Sequence, residues 1–447
     1  MAEIKYEIEF SLDLAENSVL NEPKRGRLVI DRVNGIRIET SERINTVACD
    51  EKINIYGQTV NGDKFTAFDC ILPNISSLIV SEFHNKDACI EVTDILSGEY
   101  YQEQEPKDIY ADKMTFSCSH LLEWLKESEK KEMSFAINRR NQSIAITINN
   151  SQNSTIKFAY HEPKPLGDFI EEANLFLNFL QVFISPKLKV SFSNIYFEIN
   201  GKTVSYFLNQ HHFTESTEEN AKINPVYISY FSEDNFYNII QKWFESCDKY
   251  GRIFSILNAV LYDGSFIYTE IMFLTYAQWI EGYCRVKYSP SGDNSEFINI
   301  EEENYKATYE KIKNAISSSN INDKEKVLKQ LESIPKRKYK NKVTLVSNLY
   351  NIMRDLNFSS ILNIGHESMC DLAENIKNAR DNHTHIAKEN EDTLYLAYLS
   401  RIMRDIVILI LMAEMDIDLE INQKNKFILE TIKNHYTEYI SIRPDNI

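Results

Sequence analysis

Through roughly the first half of the chain, apolar and polar residues alternate one by one, the period of a strand with one buried face. Residues 5–10 (KYEIEF), 35–39 (GIRIE), 64–69 (KFTAFD), 113–117 (KMTFS), 142–148 (QSIAITI) and 187–192 (KLKVSF) all read this way. Between such runs stand Asn34 with Gly35, Asn61 with Gly62, and Asn200 with Gly201. Asn-Gly accepts the positive φ angles of two-residue hairpin turns, so neighbouring runs should pair antiparallel. The pattern predicts one or two antiparallel sheets, interrupted by a helix over 119–126 (SHLLEWLK).

Beyond the polar stretch 214–221 (TESTEENA) the period changes to that of a helix. Phe236, Ile239, Ile240, Trp243 and Phe244 mark one face; Phe254, Leu257, Val260 and Leu261 mark a second; Ile271, Leu274, Tyr276, Trp279 and Ile280 mark a third. A loop at 289–295 (SPSGDNS) precedes a charged helix at about 301–317. Asn322 and Asp323 can cap another helix, which Pro335 stops. Helices over 343–353, 369–379 and 394–415 complete the set. The fold class is therefore α+β: a β-rich antiparallel domain over 1–225, then an all-α helical bundle over 226–447.

A length of 447 residues exceeds what one core usually organises, which agrees with two domains. With 43% apolar residues, including 25 Tyr and 24 Phe, the chain can fill both cores, and disorder is excluded. The formal charge of -17 argues against a broad nucleic-acid surface, since counterion release needs clustered cations, but it leaves room for a local basic site. Seven scattered cysteines with no C-x-x-C pair suit a reducing compartment. The start MAEIKYEIEF has no signal-peptide layout, and the longest apolar run, 406–413, is too short to span a bilayer. A soluble cytoplasmic protein that makes no use of a membrane is the expectation.

One polar cluster interrupts the helical pattern. Leu372, Ile376 and Ala379 form an apolar stripe, residues 380–385 (RDNHTH) follow, and a longer stripe runs through Leu399, Ile402, Met403, Ile406, Leu409 and Ile410. Arg380 and His385 are five positions apart, about 140° around an unbroken helix, so they converge only if the helix ends or kinks between them. Asp381 and Asn382, both capping types, offer a place for that break. An arginine beside a histidine suits RNA transesterification. Imidazole can take the 2′-OH proton or protonate the leaving 5′-oxygen, and guanidinium can hold the phosphate in two places and stabilise its developing charge. This chemistry uses no metal and no cofactor, and no carboxylate set for a metal pair is visible.

Arg380 to His385 fits the R-x4-6-H motif of the HEPN superfamily, and the order of β-rich half, helical half and motif before a long apolar helix resembles the ApeA-like antiphage HEPN proteins. Residues 56–66 (YGQTVNGDKFT) and 121–125 (LLEWL) are similar to a hairpin and a short helix of that family's N-terminal domain. Asp381 stands where the family more often has Asn. The resemblance implies a metal-independent RNA endonuclease acting in antiphage defence by abortive infection, with Arg380 and His385 catalytic. It implies a homodimer, or a multiple of dimers, through the helical domain, an RNA substrate such as structured tRNA, and a phage-derived trigger sensed by the N-terminal domain. The alternative is a catalytically silent HEPN scaffold that binds a partner protein or nucleotide.

Other residues have two readings each. Asp381 either caps a second helix or fixes the tautomer of a catalytic histidine. His383 either turns to solvent or helps orient phosphate. Glu281 either is an ordinary surface glutamate or pairs with Arg380 and orients it. Lys336, Arg337, Lys338, Tyr339 and Lys340 form the one dense basic patch, either an RNA-backbone site with a stacking face or a solvated loop. Residues 365–370 (GHESMC) lack the second glycine of a nucleophile elbow, and His211 with His212 has no partner at metal spacing.

Overall fold

The computed structural model describes residues 4–12, 14–15, 19–31, 35–42, 53–71, 88–102, 105–125, 130–151, 153–184, 190–208, 233–255, 269–288, 302–319, 324–333, 345–384, 393–417 and 426–442. They divide into two compact units, Met1–Ile267 with Leu411–Phe427, and Tyr268–Ile410 with Ile428–Ile447. The composition shift read from sequence lies near residue 225.

Among the described residues the first unit is built on one antiparallel sheet of thirteen strands, beside a small two-stranded one. In chain order these are β1 (Ile4–Ser11), β2 (Lys24–Asp31), β3 (Gly35–Thr40), β4 (Ile53–Thr59), β5 (Lys64–Cys70), β6 (Ala88–Val92), β7 (Asp94–Ser97), β8 (Tyr110–Cys118), β9 (Glu132–Arg139), β10 (Gln142–Asn149), β11 (Thr155–Pro165), β12 (Phe192–Ile199) and β13 (Lys202–Leu208). Across the sheet they run β9-β10-β11-β8-β12-β13-β7-β5-β4-β1-β2-β3-β6. The run from β5 to β6 curls back on itself, because Ile71 and Glu91 exchange backbone hydrogen bonds of 2.9 and 3.2 Å. The curl encloses an apolar core of inward-facing Ile8, Phe10, Leu28, Ile38, Ile55 and Ile90.

Turn chemistry sets the registers. Asn200 and Gly201, at φ 50° and 75°, join Ile199 to Lys202 as a two-residue hairpin, as their sequence predicts. Arg140 and Asn141 take the same left-handed pair, φ 48° and 62°, with no glycine to ease it. Asn61 and Gly62 instead lie in a longer loop, closed by Thr59 N donating to Asp63 O at 2.9 Å. The strand read at 187–192 begins only at Phe192, and its residues up to 189 lie outside the described set.

Gly57 shows why one strand residue has no side chain. A Cβ built there would fall 2.0 Å from Phe65 Cζ, since the far end of the Phe65 ring sits against the glycine across the β4–β5 ladder. Gly57→Ala is expected to destabilise the first unit by about 1–3 kcal/mol, the usual penalty of overpacking. Urea denaturation monitored by tryptophan fluorescence should show an earlier midpoint; an unchanged one would mean that Phe65 can move aside.

The helices of this unit are α1 (Leu121–Leu125), α2 (Leu166–Ile184), α3 (Glu233–Tyr250) and the single turn α4 (Arg252–Ser255). The alternation-based reading does not identify α2. Its segment FLNFLQVFI is apolar and aromatic almost all round, a composition shared by buried strands. Two of the polar groups it buries are matched: Gln181 Oε1 accepts Val190 N at 2.9 Å, and the Leu175 carbonyl accepts Trp243 Nε1 at 2.9 Å. In α3 the predicted face of Phe236, Ile239, Ile240, Trp243 and Phe244 is fully buried. Gln241, on another side of α3, uses its amide to pair both the N–H and the C=O of Asn138, at 2.9 and 3.0 Å, which covers the sheet's edge strand β9.

Behind that edge a charged cluster is enclosed. Arg139 is 3% exposed and meets Glu172 of α2, Glu171 at 3.2 Å and Asp248 of α3 at 2.9 Å. Burial pushes the Glu172 carboxyl above its ordinary value, although Arg139 pulls it back.

The second unit contains α5 (Thr269–Lys287), α6 (Glu302–Ser318), α7 (Lys324–Ser333), α8 (Leu345–Asp355), α9 (Phe358–Leu362) and α10 (His366–Thr384). These are followed by α11 (Thr393–Glu414, assigned here up to Ile410) and α12 (Lys426–Ser441, from Ile428). In α5 the sequence-predicted face needs correction: Ile271 is 54% exposed. Tyr276, Trp279 and Ile280 are buried as predicted, and Met272, Phe273 and Ala277 are buried beside them, so the stripe is broader than the predicted one. Leu257, Val260, Leu261, the loop at 289–295 and the proposed cap Asn322 and Asp323 lie outside the described residues. No helix among the described residues is long and apolar enough to cross a membrane.

Candidate active site

The second unit assembles its polar site on two helices that pack together, α5 and α10. In α10, Leu372, Ile376 and Ala379 are 1%, 0% and 3% exposed, which fixes the helix by its apolar face. Arg380, the next residue, is turned about 100° from Ala379 and reaches the border of that face, where its side chain is 32% exposed. Glu281 comes from α5, 99 positions earlier in the chain, and its carboxylate accepts from Arg380 Nη2. Arg380 Nη1 donates to Asp381 Oδ1 at 2.8 Å.

Each carboxylate also has a second cation one helical turn away. Lys377 Nζ is 3.0 Å from Asp381 Oδ2, and Arg285 Nη2 is 4.0 Å from Glu281 Oε2, both at the i,i+4 spacing. The row Arg285, Glu281, Arg380, Asp381, Lys377 thus alternates in sign, with three cations against two carboxylates. In a chain of charge -17 the row itself carries one net positive charge. Partial burial works against the Arg380 charge, but Asp381 and Glu281 outweigh it and raise the guanidinium above the ordinary arginine value. Burial likewise opposes the Asp381 charge, and Lys377 and Arg380 outweigh it, holding the carboxyl below its ordinary value.

The expected break at Asp381 and Asn382 does not occur. The helix α10 continues through both residues to Thr384. Asp381 does not cap a second helix, because its carboxylate is engaged by Lys377 and Arg380, a pairing that favours helix interior. Glu281 is not a surface glutamate: its side chain is 17% exposed and ion-paired. His383 is half-buried in the last described turn of α10. His385 lies outside the described residues, as do Lys336, Arg337, Lys338, Tyr339 and Lys340.

The segment carrying this cluster, residues 274–421, matches the family model described as Apea-like HEPN. Residues 9–243 match the model of ApeA N-terminal domain 1, which alone covers more than half of the chain. The chain belongs to the ApeA-like HEPN family. No curated protein and no solved structure matches it. Within this ApeA-like HEPN chain, the first match lies on the sheet and reaches into α3, and the second spans α5 to α11.

Sequence reasoning did not single out Lys377 or Arg285, although their i,i+4 spacing to Asp381 and Glu281 could have signalled them. It also did not find a second buried pair, His435 Nδ1 with Asp405 Oδ2 at 2.7 Å, where Asp405 is 5% exposed. The signal was a carboxylate within the apolar run of α11. This pair, with Arg401 to Glu438 at 3.3 Å, ties α12 to α11. Asn375 Nδ2 donating to Tyr439 Oη at 2.9 Å ties α12 to α10, the helix carrying the arginine.

Proposed function

We propose that this ApeA-like HEPN protein is a metal-independent endoribonuclease that acts in antiphage defence by abortive infection. The observation that carries the reading is the Arg380 guanidinium, held by Glu281 and Asp381 inside a net-positive row within the HEPN-matched segment. Arg380 binds the scissile phosphate and stabilises the charge that builds on its oxygens as the pentacoordinate state forms. Glu281 and Asp381 are positioning residues, since they hold the guanidinium fork before RNA arrives.

The ribose 2′-oxygen attacks the adjacent phosphorus and its proton passes to His385, while the bond from phosphorus to the 5′-oxygen breaks. The partner subunit's His385 gives a proton to that oxygen. The products are a 2′,3′-cyclic phosphate and a 5′-OH, and one proton taken is matched by one proton given. A homodimer through the helical unit lets one histidine per subunit supply both base and acid. The basic patch from Lys336 to Lys340 follows the RNA backbone, and an acidic chain with so local a site favours a structured substrate such as tRNA. The first unit receives a phage-derived trigger.

The test is product chemistry. Purified protein in excess EDTA should cleave RNA at an undiminished rate and leave ends that polynucleotide kinase can label at the 5′-OH without prior phosphatase. Loss of cleavage in EDTA, or products carrying 5′-phosphate, would overturn the mechanism.

A further inference from the structure

The curled part of the first unit's sheet is open at one end. A strand turns every second residue to the same side, so Ile4, Tyr6, Ile8 and Phe10 of β1 share the inward face. Ile8 and Phe10 are buried at 2% and 0% exposure, yet Ile4 and Tyr6 are 40% and 38% exposed. A cavity of about 760 Å³ opens beside Tyr6, within the size range of sites for small molecules and at a place, the mouth of a curled sheet, where such sites occur. Leu28, Ile30, Phe65, Ile95 and Phe207 give it apolar walls.

The polar groups of its rim are mostly satisfied. Ser97 Oγ donates to the Ser205 carbonyl at 3.1 Å and accepts from Ser205 N at 2.9 Å. Asp63 accepts from the Thr59 hydroxyl at 3.3 Å, and Glu99 is ion-paired with Lys202. Two donors stand apart from this. The Tyr100 hydroxyl is enclosed and has no hydrogen-bond partner among the described residues. The Lys64 ammonium lies 4.7 Å from the centre of the Tyr100 ring and makes no ion pair among the described residues. An enclosed hydroxyl without an acceptor is unfavourable, and a ligand that brought one would recover the loss. A cationic ligand fits poorly, because Lys64 already occupies the aromatic face such a ligand would need.

The geometry points to a binding site for a small amphipathic anion, its apolar body between Leu28, Ile30, Phe65 and Phe207 and its carboxylate-like head on Lys64 and Tyr100. The occupant is of metabolite size, and the inference does not depend on the ribonuclease reading. The site gives the N-terminal unit a chemical input of its own.

Calorimetric titration of the full chain, in the His385→Ala background, with 2-naphthoate and its neutral counterpart 2-naphthamide tests this. The acid should bind saturably at one site per chain and roughly fivefold more tightly than the amide, the scale of a partly exposed charge contact. Lys64→Met should abolish the difference between the two, and Tyr100→Phe should weaken both by a similar factor. Equal affinity of acid and amide for the unsubstituted pocket, non-saturable heats, or full preference for the acid retained in Lys64→Met would overturn the assignment. Because the first comparison uses no pocket variant, misfolding of a variant leaves the test intact, and nuclease activity does not enter it.

Discussion

RNA cleavage by Arg380→Ala protein should fall roughly 10²–10³-fold, the loss usual when a preorganised donor to the transition state is removed. His385→Ala should fall by about 10²–10⁴-fold, the contribution of general acid–base catalysis. Induced toxicity should disappear with both. Arg380→Lys should not rescue, because an ammonium cannot reproduce the planar fork that contacts both Glu281 and Asp381 and matches a phosphate. Glu281→Gln keeps a hydrogen-bond acceptor but removes a charge, so its defect should be smaller and appear mainly in kcat, as a loss of orientation. Arg380 lies at the border of the helix face and the stripe of Leu372, Ile376 and Ala379 is untouched by these changes, so circular dichroism should report an intact fold. Full cleavage by both alanine variants would take the catalytic roles from Arg380 and His385, whereas no cleavage by the unsubstituted protein would leave a scaffold that binds a partner protein or nucleotide.

Arg139→Ala is expected to destabilise the first unit by about 3–5 kcal/mol, the range seen when one member of a buried ion pair is removed. Glu172 is 7% exposed at its side chain and would lose its ion-pair partner, with only the more distant Arg140 charge to compensate. Asp248 would keep only Arg140, at 3.5 Å, and Arg140, 60% exposed, hydrogen-bonds Glu171 rather than Glu172. The sign of the pH dependence follows from Glu172. Its folded carboxyl already titrates above the ordinary value, and losing Arg139 raises it further. Stability is therefore present below the unfolded carboxyl value and lost as pH rises through the folded one, so the defect should be smaller near pH 5 than near pH 8. Urea unfolding followed through Trp124 and Trp243, both fully buried in this unit, reads the effect. Replacing both charges, as Arg139→Met with Glu172→Leu, should recover much of the loss, since two absent charges leave none buried alone. A single substitution that is neutral at pH 8 would show that water reaches Glu172.

Both predictions rest on partners that the linear pattern shows unevenly. The alternation of β10 was plain, because a half-buried strand writes its exposure into every second residue, whereas in β5 the residues from Phe65 to Phe68 are all buried despite an alternating sequence. In the second half of α2 that record was missing: Leu175 to Gln181 are all buried, so no exposed stripe marks the helix there, and apolar aromatic runs suit strands equally well. Asp381 and Asn382 are good capping residues, and local propensity alone would end α10 there. The helix runs on because Lys377 and Arg380 engage Asp381 from within it. Ile271 illustrates the limit of reading a face, since it lies exposed at the start of α5 while Met272 and Phe273 are buried and Tyr276, Trp279 and Ile280 keep the predicted positions.

Taken alone, the amino-acid order determined the class of each half, an antiparallel β region then helices, and marked Arg380 as a candidate for phosphate chemistry. Periodicity and turn chemistry are properties of a few neighbouring residues, so they survive in one dimension. Tertiary structure decided that Arg380 meets Glu281 across 99 positions and that Arg139 is enclosed between two helices. It also grouped Tyr6, Lys64, Tyr100 and Phe207 around one cavity. Those meetings depend on how distant surfaces pack, and no local preference of the backbone encodes which distant side chain a buried charge will find.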